Sequence, residues 1–181
     1  MFFDPILASE GGAPIDSIFD WLTQKIKDVL AHRSSRKLTL PERDLVEIPV
    51  CYAADLALDL EEVARHGQLK IDEVIRRHSA AEYRVQCVGF TPGFPFLSGL
   101  AVELSTPRRA SPRSRVPAGS VAIGGAQTGI YPLQSPGGWN IIGRTPLALF
   151  DVQRDPPVLL QAGDRLRFRP ISREEFDSWK E

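Results

Sequence analysis

The fold is decided by the stretch from Val116 to Phe150, which reads VPAGSVAIGGAQTGIYPLQSPGGWNIIGRTPLALF. Its apolar pieces are short, and glycine or proline interrupts them at close intervals. Short strands separated by such turns are typical of a β-barrel or a β-sandwich. The stretch therefore predicts a mainly β protein. The predicted strands are Val121–Ile123, Gly129–Tyr131, Asn140–Ile142 and Leu147–Phe150.

Alternating apolar residues predict three further strands outside this stretch, at Tyr83–Cys87, Arg165–Arg169 and Val46–Val50. Pro49 cannot donate a backbone hydrogen bond, which favours a sheet edge for the last of these strands.

Helical spacing of apolar residues predicts an amphipathic helix over Pro14–Ala31, and the polar segment Arg33–Arg43 is interpreted as a linker. Two short helices are predicted downstream. The first begins at Asp59–Glu62, which resembles a capping box with acids at the positive helix end, and the second covers Lys70–His78.

The composition excludes several classes of protein. The chain has 181 residues, 43% apolar and 25% charged, which is ordinary for a globular domain. Its net charge of -1 argues against a broadly basic surface for nucleic acid. No apolar run approaches the roughly 20 residues of a membrane helix, and no secretory signal is visible at the start, so a cytoplasmic protein is expected. Buried, reduced thiols are the favoured interpretation of Cys51 and Cys87, and no recognisable Cys/His metal motif exists.

The central third of the chain is electropositive. Between Gly89 and Phe150 there are five arginines, no lysine and one acid, Glu103, so this segment carries +4 and the rest of the chain -5. Arginine presents a planar fork of donors that suits carboxylate and phosphate groups. The segment is therefore a candidate anion-binding face. The alternative interpretation is that these arginines lie on solvent-exposed loops and bind nothing. Because the segment has one acid, it cannot by itself supply the two carboxylates of an acid–base pair. A second carboxylate could come from another part of the chain, and Asp151 is the nearest in sequence.

Known phosphate-binding and nucleophile motifs are missing. The chain contains no G-x-x-x-x-G-K-[ST] loop, no G-x-G-x-x-G and no G-x-S-x-G. Any nucleotide site must therefore be of another kind or be shared with a partner chain.

Four loop clusters in the central segment carry side chains suited to binding a small polar molecule. Each also has a structural interpretation, the aromatics as a core plug and the glycine pair as a hairpin tip. Proline-braced arginines lose little freedom on binding an anion, and paired glycines let a ligand approach the backbone closely. The clusters are Gly89–Phe96, Thr106–Arg108 with Ser111–Arg113, Gln127–Pro132, and Ser135–Trp139 with Arg144 soon after.

His78 stands near a predicted helix end. It either favours the negative helix terminus or carries a proton or contacts a ligand at a pocket rim. No catalytic residue is assigned. The candidate substrate-binding residues are His78, Phe90, Phe94, Arg108, Arg113, Ser120, Gln127, Thr128, Tyr131, Ser135, Trp139 and Arg144.

The order of these clusters, with Val116–Ile123 between them, strongly resembles one family over roughly Val46–Pro170. It is the family of the 5-oxoprolinase B subunits, also called allophanate hydrolase subunit 1 or carboxyltransferase domain subdomain C/D, which includes the sporulation-kinase inhibitor.

The resemblance implies a cyclophilin-like β-barrel over residues 46–175, preceded over residues 1–45 by a linker and the remnant (a strand and a helix) of a small α/β domain. The family's α/β domain is more complete, so the chain is a fragment, has a displaced start or is naturally short. Without its usual partner sheet, the apolar stripe of the first helix is expected to pack on the barrel or to mediate self-association through residues 14–31.

The resemblance also implies a non-autonomous subunit that acts with subunits A and C. Together such proteins convert 5-oxoproline and ATP to glutamate, ADP and phosphate, with ATP and Mg expected at a site shared with the partner. Arginines facing a substrate carboxylate and a phosphoryl group would stabilise that charge. Two alternatives stay open, a binding protein that inhibits a sensor histidine kinase and a relic of a urea carboxylase-type carboxyltransferase.

Overall fold

The computed structural model describes residues 17–33 and 44–179. The chain divides into two units, Met1–Glu42 and Arg43–Glu181. In the first unit the described element is helix α1 (Ile18–Arg33), which confirms a helix in the predicted region. The predicted start at Pro14 and most of the predicted linker lie outside the described residues.

The second unit is a barrel with short helices. Its helices are α2 (Leu60–His66), α3 (Ile71–Ala80) and α4 (Arg173–Asp177), with a 3-10 turn at Val102–Leu104. Its strands are β1 (Val46–Cys51), β2 (Tyr83–Val88), β3 (Pro95–Ser98), β4 (Arg113–Val116), β5 (Ser120–Gly124), β6 (Gln127–Ile130), β7 (Ser135–Gly137), β8 (Asn140–Arg144) and β9 (Arg165–Ile171).

Seven strands close into a barrel in the order β1-β8-β5-β6-β3-β2-β9, and β4 pairs with β7 in a separate two-stranded sheet. The ladder between β1 and β9 is parallel from Val46↔Leu166 to Cys51↔Ile171, and the other ladders are antiparallel. The mainly β class with a closed barrel is therefore confirmed.

Strand β5 is buried on both faces, which explains why its sequence does not alternate between apolar and polar residues. Val121 and Ile123 belong to the main core, which includes Phe168 of β9. Ala122 belongs to a second cluster that holds Val116 of β4. The second cluster is the floor on which the candidate site is built.

Two local predictions are wrong. Strand β1 is not at an edge, because it lies between β8 and β9. The ladder between β1 and β8 consists of the single pair Cys51↔Arg144, so Pro49 does not take part in it. The piece Leu147–Phe150 forms only an isolated bridge between Phe150 and Val158.

The two cysteines differ in environment. Both are free thiols, and Cys51 is buried as predicted, but Cys87 is exposed. A register shift in β2 between Val85 and Cys87 interrupts the alternation, so Gln86 and Cys87 both face outward.

None of the helices in the described part of the chain combines the length and apolar character needed to span a membrane.

Candidate functional site

Loops from three of the four predicted clusters, together with Tyr131 of the remaining one, meet around a hollow of about 330 Å³, here called the aromatic hollow. The second core cluster forms its floor, and the β4–β7 sheet and the loop before β4 form one side. Its lining residues are Phe90, Phe94, Phe96, Arg108, Arg109, Pro112, Tyr131, Pro136, Gly137, Gly138 and Trp139.

Aromatic rings contact one another edge to face around the hollow. Phe94 is the hub, because its ring centroid lies 5.2 Å from that of Tyr131 and 5.6 Å from that of Trp139. Phe90 meets Phe94 at 5.6 Å with nearly perpendicular planes, and it remains 65% exposed at a φ of 68°. That φ is uncommon for a bulky residue, so the loop holds Phe90 at the entrance at some conformational cost. The walls thus offer flat apolar surfaces with aromatic edges.

Arg108 supplies the positive charge at the entrance. Its guanidinium lies 5.7 Å from the centroid of the Trp139 ring, within the range of a cation–π contact. No carboxylate in residues 17–33 or 44–179 forms an ion pair with Arg108. Its charge is therefore available to an anionic ligand.

Arg109 and Arg113 are held by Asp59, a carboxylate that is only 4% exposed. Oδ1 of Asp59 accepts from Arg109 Nη1 at 2.7 Å and from Arg113 Nη2 at 2.9 Å, and Oδ2 accepts from Arg113 Nη1 at 2.7 Å and from the backbone N–H of Ile141 at 2.8 Å. Such charge-assisted, bidentate bonds define the position of the loop that carries Arg108.

This arrangement corrects the expected role of Asp59. The residue precedes α2, but its side chain makes no cap hydrogen bond. Asp59 is 50 residues from Arg109 and 54 residues from Arg113 in sequence. The sequence around Asp59 indicated a helix cap, and a contact over that distance leaves no local pattern from which to predict it. The composition of the central segment was the available signal, because with Glu103 as its one acid it indicated that a further acid at the site must come from outside.

Tyr131 contributes a protonated phenol to the wall. Burial raises its pKa, while a hydrogen bond with the Trp139 backbone and the charges of Arg108 and Arg113 lower it. Because burial has the largest effect, the pKa stays above its usual value and the phenol is neutral at physiological pH.

The structure does not place His78 at the hollow. The ring is fully buried in the barrel core, stacked on Phe168 at 4.4 Å. Its Nδ1 lies 2.8 Å from the Tyr52 hydroxyl and its Nε2 lies 3.1 Å from Thr128 Oγ1. Because the Thr128 hydroxyl donates to the Ala122 carbonyl, Nε2 donates to Thr128 and Nδ1 accepts from Tyr52. Burial lowers the pKa of His78 to about 3, which keeps this tautomer neutral.

Seven of the twelve predicted residues thus lie away from the lining of the aromatic hollow. Arg113 is bound to Asp59, Thr128 belongs to the His78 network, and Arg144 lines a separate surface hollow and donates through Nε to the Ala118 carbonyl. The five that it brings together are Phe90, Phe94, Arg108, Tyr131 and Trp139. The other four outside the lining are His78, Ser120, Gln127 and Ser135.

Six lining residues were not predicted as site residues, although they lie within or beside the predicted loop clusters. They are Phe96, Arg109, Pro112, Pro136, Gly137 and Gly138. Phe96 alternates along β3 with residues of the main core, and a period-two pattern could have identified it once the strand was known.

Gly124 makes room for Trp139, and Gly124→Ala is expected to lower the free energy of unfolding by about 1–3 kcal/mol. A Cβ at this position would lie 2.5 Å from the indole ring, so the ring must move. The measurement is urea unfolding together with near-UV circular dichroism of the tryptophan environment. Gly89→Ala is the matched control, because a Cβ there has open space around it. Equal stability of the two variants would contradict the prediction.

Within residues 17–33 and 44–179, no three His, Cys, Asp or Glu side chains lie close enough together to hold a metal ion.

Comparison with known proteins identifies the type of domain. Residues 13–160 match the family model described as "Carboxyltransferase domain, subdomain C and D". A curated relative, the 5-oxoprolinase B subunit of Bacillus subtilis (strain 168), is 53% identical over 139 residues. The match covers 77% of this chain and 58% of the relative, so the chain spans about three fifths of the relative's length.

Solved structures give the same fold. A conserved uncharacterized protein from Pyrococcus horikoshii superposes with a TM-score of 0.71 at 38% identity, covering 97% of this chain and 75% of that protein. The urea carboxylase of Kluyveromyces lactis superposes with a TM-score of 0.64 at 22% identity, covering 84% of this chain and 16% of that enzyme. At that identity the second likeness concerns the fold alone.

Proposed function

This chain belongs to the family of carboxyltransferase domains, subdomain C and D, and from that premise we propose that it is part of an ATP-dependent 5-oxoprolinase whose aromatic hollow binds 5-oxoproline. The observation that carries the proposal is the placement of Arg108, a guanidinium without a carboxylate partner in the described part of the chain, at the entrance of a small aromatic cavity. The relative from Bacillus subtilis, named as a 5-oxoprolinase subunit, supports the choice of substrate.

The chemistry of 5-oxoproline suits these walls. The molecule is a flat five-membered lactam with one carboxylate. Its ring can lie against the aromatic faces of the hollow while the carboxylate contacts Arg108, and an ion pair at a partly dry, aromatic entrance is stronger than one in bulk water. The Tyr131 phenol, neutral at physiological pH, can donate to the lactam oxygen without adding charge.

Ring opening of a lactam needs activation because an amide is a poor electrophile. In the proposed enzyme, ATP phosphorylates the lactam oxygen and leaves as ADP. A first water adds to the activated carbon and the C–N bond breaks, which opens the ring and frees the amine of an acyl phosphate. A second water then releases the phosphate and leaves glutamate. The part assigned to this chain is to bind and orient the lactam and to balance its negative charge.

ATP with Mg does not fit the aromatic hollow. A triphosphate needs several cationic donors, whereas Arg108 is the lining cation without a carboxylate partner among the described residues, and Arg109 is already bound to Asp59. The lining contains no carboxylate for Mg²⁺. We therefore assign ATP and Mg to a site that is completed by other subunits, which we propose to be subunits A and C in the cytoplasm.

The proposal predicts that Arg108→Ala weakens 5-oxoproline binding about 10- to 100-fold, the range expected for losing a charge-assisted hydrogen bond. Isothermal titration measures the affinity. Arg115→Ala is the matched control, because Arg115 is bonded to Gln134 and lines neither the aromatic hollow nor its rim. An uncharged analogue, 2-pyrrolidinone, should bind Arg108→Ala and the unaltered protein equally. If Arg108→Ala binds 5-oxoproline as the control does, the assignment is wrong.

Activity is tested with the full assembly. The chain is mixed with candidate subunits A and C, and ATP hydrolysis is measured with and without 5-oxoproline. An increase in the rate of ATP hydrolysis on adding the lactam supports the proposal, and a rate that does not change contradicts it. Slower autophosphorylation of a histidine kinase without lactam turnover would favour the inhibitor alternative instead.

A further inference from the structure

The loop Thr106–Ser111 separates the aromatic hollow from a second concavity. This outer hollow has a volume of about 420 Å³ and is formed by the loop together with Glu62, His66 and Asn140. Arg108 and Arg109 line both concavities. The loop is therefore a shared wall with guanidinium groups accessible from two directions.

The charge around the shared wall is not balanced by its own partners. Arg109 and Arg113 share the single carboxylate of Asp59, which leaves one positive charge on that cluster. Arg108 adds a second positive charge. Glu62 brings a negative charge to the outer hollow, but it forms an ion pair with Arg65. The net charge at the wall is thus close to +2, which matches a dianion better than a single carboxylate.

One donor of the wall also lacks an acceptor. The Nε–H of Arg109 is buried and has no hydrogen-bond partner in the described part of the chain. An unsatisfied buried donor is unfavourable, and its uncompensated N–H dipole adds to the positive potential at the wall. The exposed hydroxyl of Ser111 supplies a further donor at the rim of the outer hollow.

We propose that the outer hollow binds a phosphate group, with Arg108 and Arg109 as its cationic contacts, while the aromatic hollow holds the lactam on the other side of the wall. This inference deepens the proposed function and rests on it for the occupant of the aromatic hollow. The phosphate site itself rests on the charge, the unsatisfied donor and the cavity. A phosphate dianion there would balance the charge of about +2 at the wall, and a carboxylate in the aromatic hollow would contact Arg108 from the other side.

The test uses inorganic phosphate and two serine variants of the full chain. Ser111→Glu adds a negative charge inside the outer hollow, whereas Ser114→Glu adds the same charge at an exposed position of β4 that lines neither hollow. Phosphate affinity is measured by isothermal titration at constant ionic strength. We expect Ser111→Glu to weaken phosphate binding about tenfold or more and Ser114→Glu to change it about twofold or less. Equal affinities of the two variants, or no phosphate binding by the unaltered chain, would overturn the inference.

A competition experiment separates this inference from the proposed function. In saturating phosphate, 5-oxoproline should still bind, with an affinity that falls only to a limiting value, because the two anions share the positive charge of the wall but occupy opposite sides of it. An apparent affinity that keeps falling in proportion to the phosphate concentration would show one shared site and overturn the inference. Phosphate binding that responds to Ser111→Glu without any 5-oxoproline binding supports the outer hollow and contradicts the proposed function. A parallel titration with ADP identifies the source: tighter binding of ADP that is lost in Ser111→Glu points to a nucleotide phosphate, and tighter binding of inorganic phosphate points to free phosphate.

Discussion

Asp59→Ala is expected to lower the free energy of unfolding by about 3 kcal/mol. Removing one partner of a buried ion pair costs about 3–5 kcal/mol because the remaining charge stays buried without compensation. The lower end applies here, because the Arg109 and Arg113 side chains remain 34% and 22% exposed and water can solvate part of their charge. Urea unfolding at neutral pH measures the change.

Glu62→Ala is the control for this prediction. Glu62 also pairs with an arginine near the site, but both partners of that pair are largely exposed, so its loss should cost about 0–1 kcal/mol. Asp59→Asn keeps the volume and one acceptor oxygen and should fall between the two. The role of Asp59 as the anchor of the arginine loop is contradicted if Asp59→Ala is as stable as Glu62→Ala.

The buried His78 is expected to make the protein lose stability in acid. The folded-state pKa of about 3 lies below the ordinary value of 6.5, so below pH 6.5 the unfolded chain binds a proton that the folded chain does not. Stability from this group is therefore fully present above pH 6.5 and declines as the pH falls toward 3. At pH 4.5 the loss is about 3 kcal/mol, from about two pKa units at 1.36 kcal/mol each. Urea unfolding between pH 7 and pH 4.5 measures it.

His78→Gln isolates this contribution from that of the carboxylates. The variant is expected to be less stable than the unaltered protein at pH 7, because it breaks the contacts with Tyr52 and Thr128. Its stability should fall less steeply between pH 7 and pH 4.5, since no imidazole is left to protonate. His66→Gln is the control, because His66 is exposed on α2 and should retain the slope of the unaltered protein. The same slope in His78→Gln and the unaltered protein would contradict the prediction.

The mainly β class was predictable from short-range pattern because the strands are short and separated by turn residues, whereas the choice of a barrel over a sandwich came from the family resemblance. Gly/Pro turns and apolar pieces indicate strands without any knowledge of their partners, and the pieces around Ile123 and Ile141 correspond to β5 and β8. The position of β1 within the sheet was not predictable from Pro49. Whether β1 is an edge strand depends on its neighbours β8 and β9, which are far away in sequence.

The candidate site was predictable in part. Phe90 and Phe94 were predicted because aromatic residues on a Gly/Pro loop can form a pocket wall, and Trp139 because its loop carries paired glycines. The three residues do share one hollow. Arg108 and Arg113 looked equivalent in sequence, since each follows a proline in the same three-residue unit. The structure separates them, because Arg113 faces a buried carboxylate and Arg108 faces an indole ring.

By itself the amino-acid sequence determined the class of fold, the loop clusters and the excess of arginine over acid in the central segment. These depend on local geometry and on composition, which the linear chain contains in full. Only the tertiary structure decided that Asp59 binds Arg109 and Arg113, that His78 is a neutral core residue and that Arg108 keeps its charge for a ligand. The reason is that the state of a charged group depends on its neighbours and its burial, and chain segments 50 or more residues apart supply both.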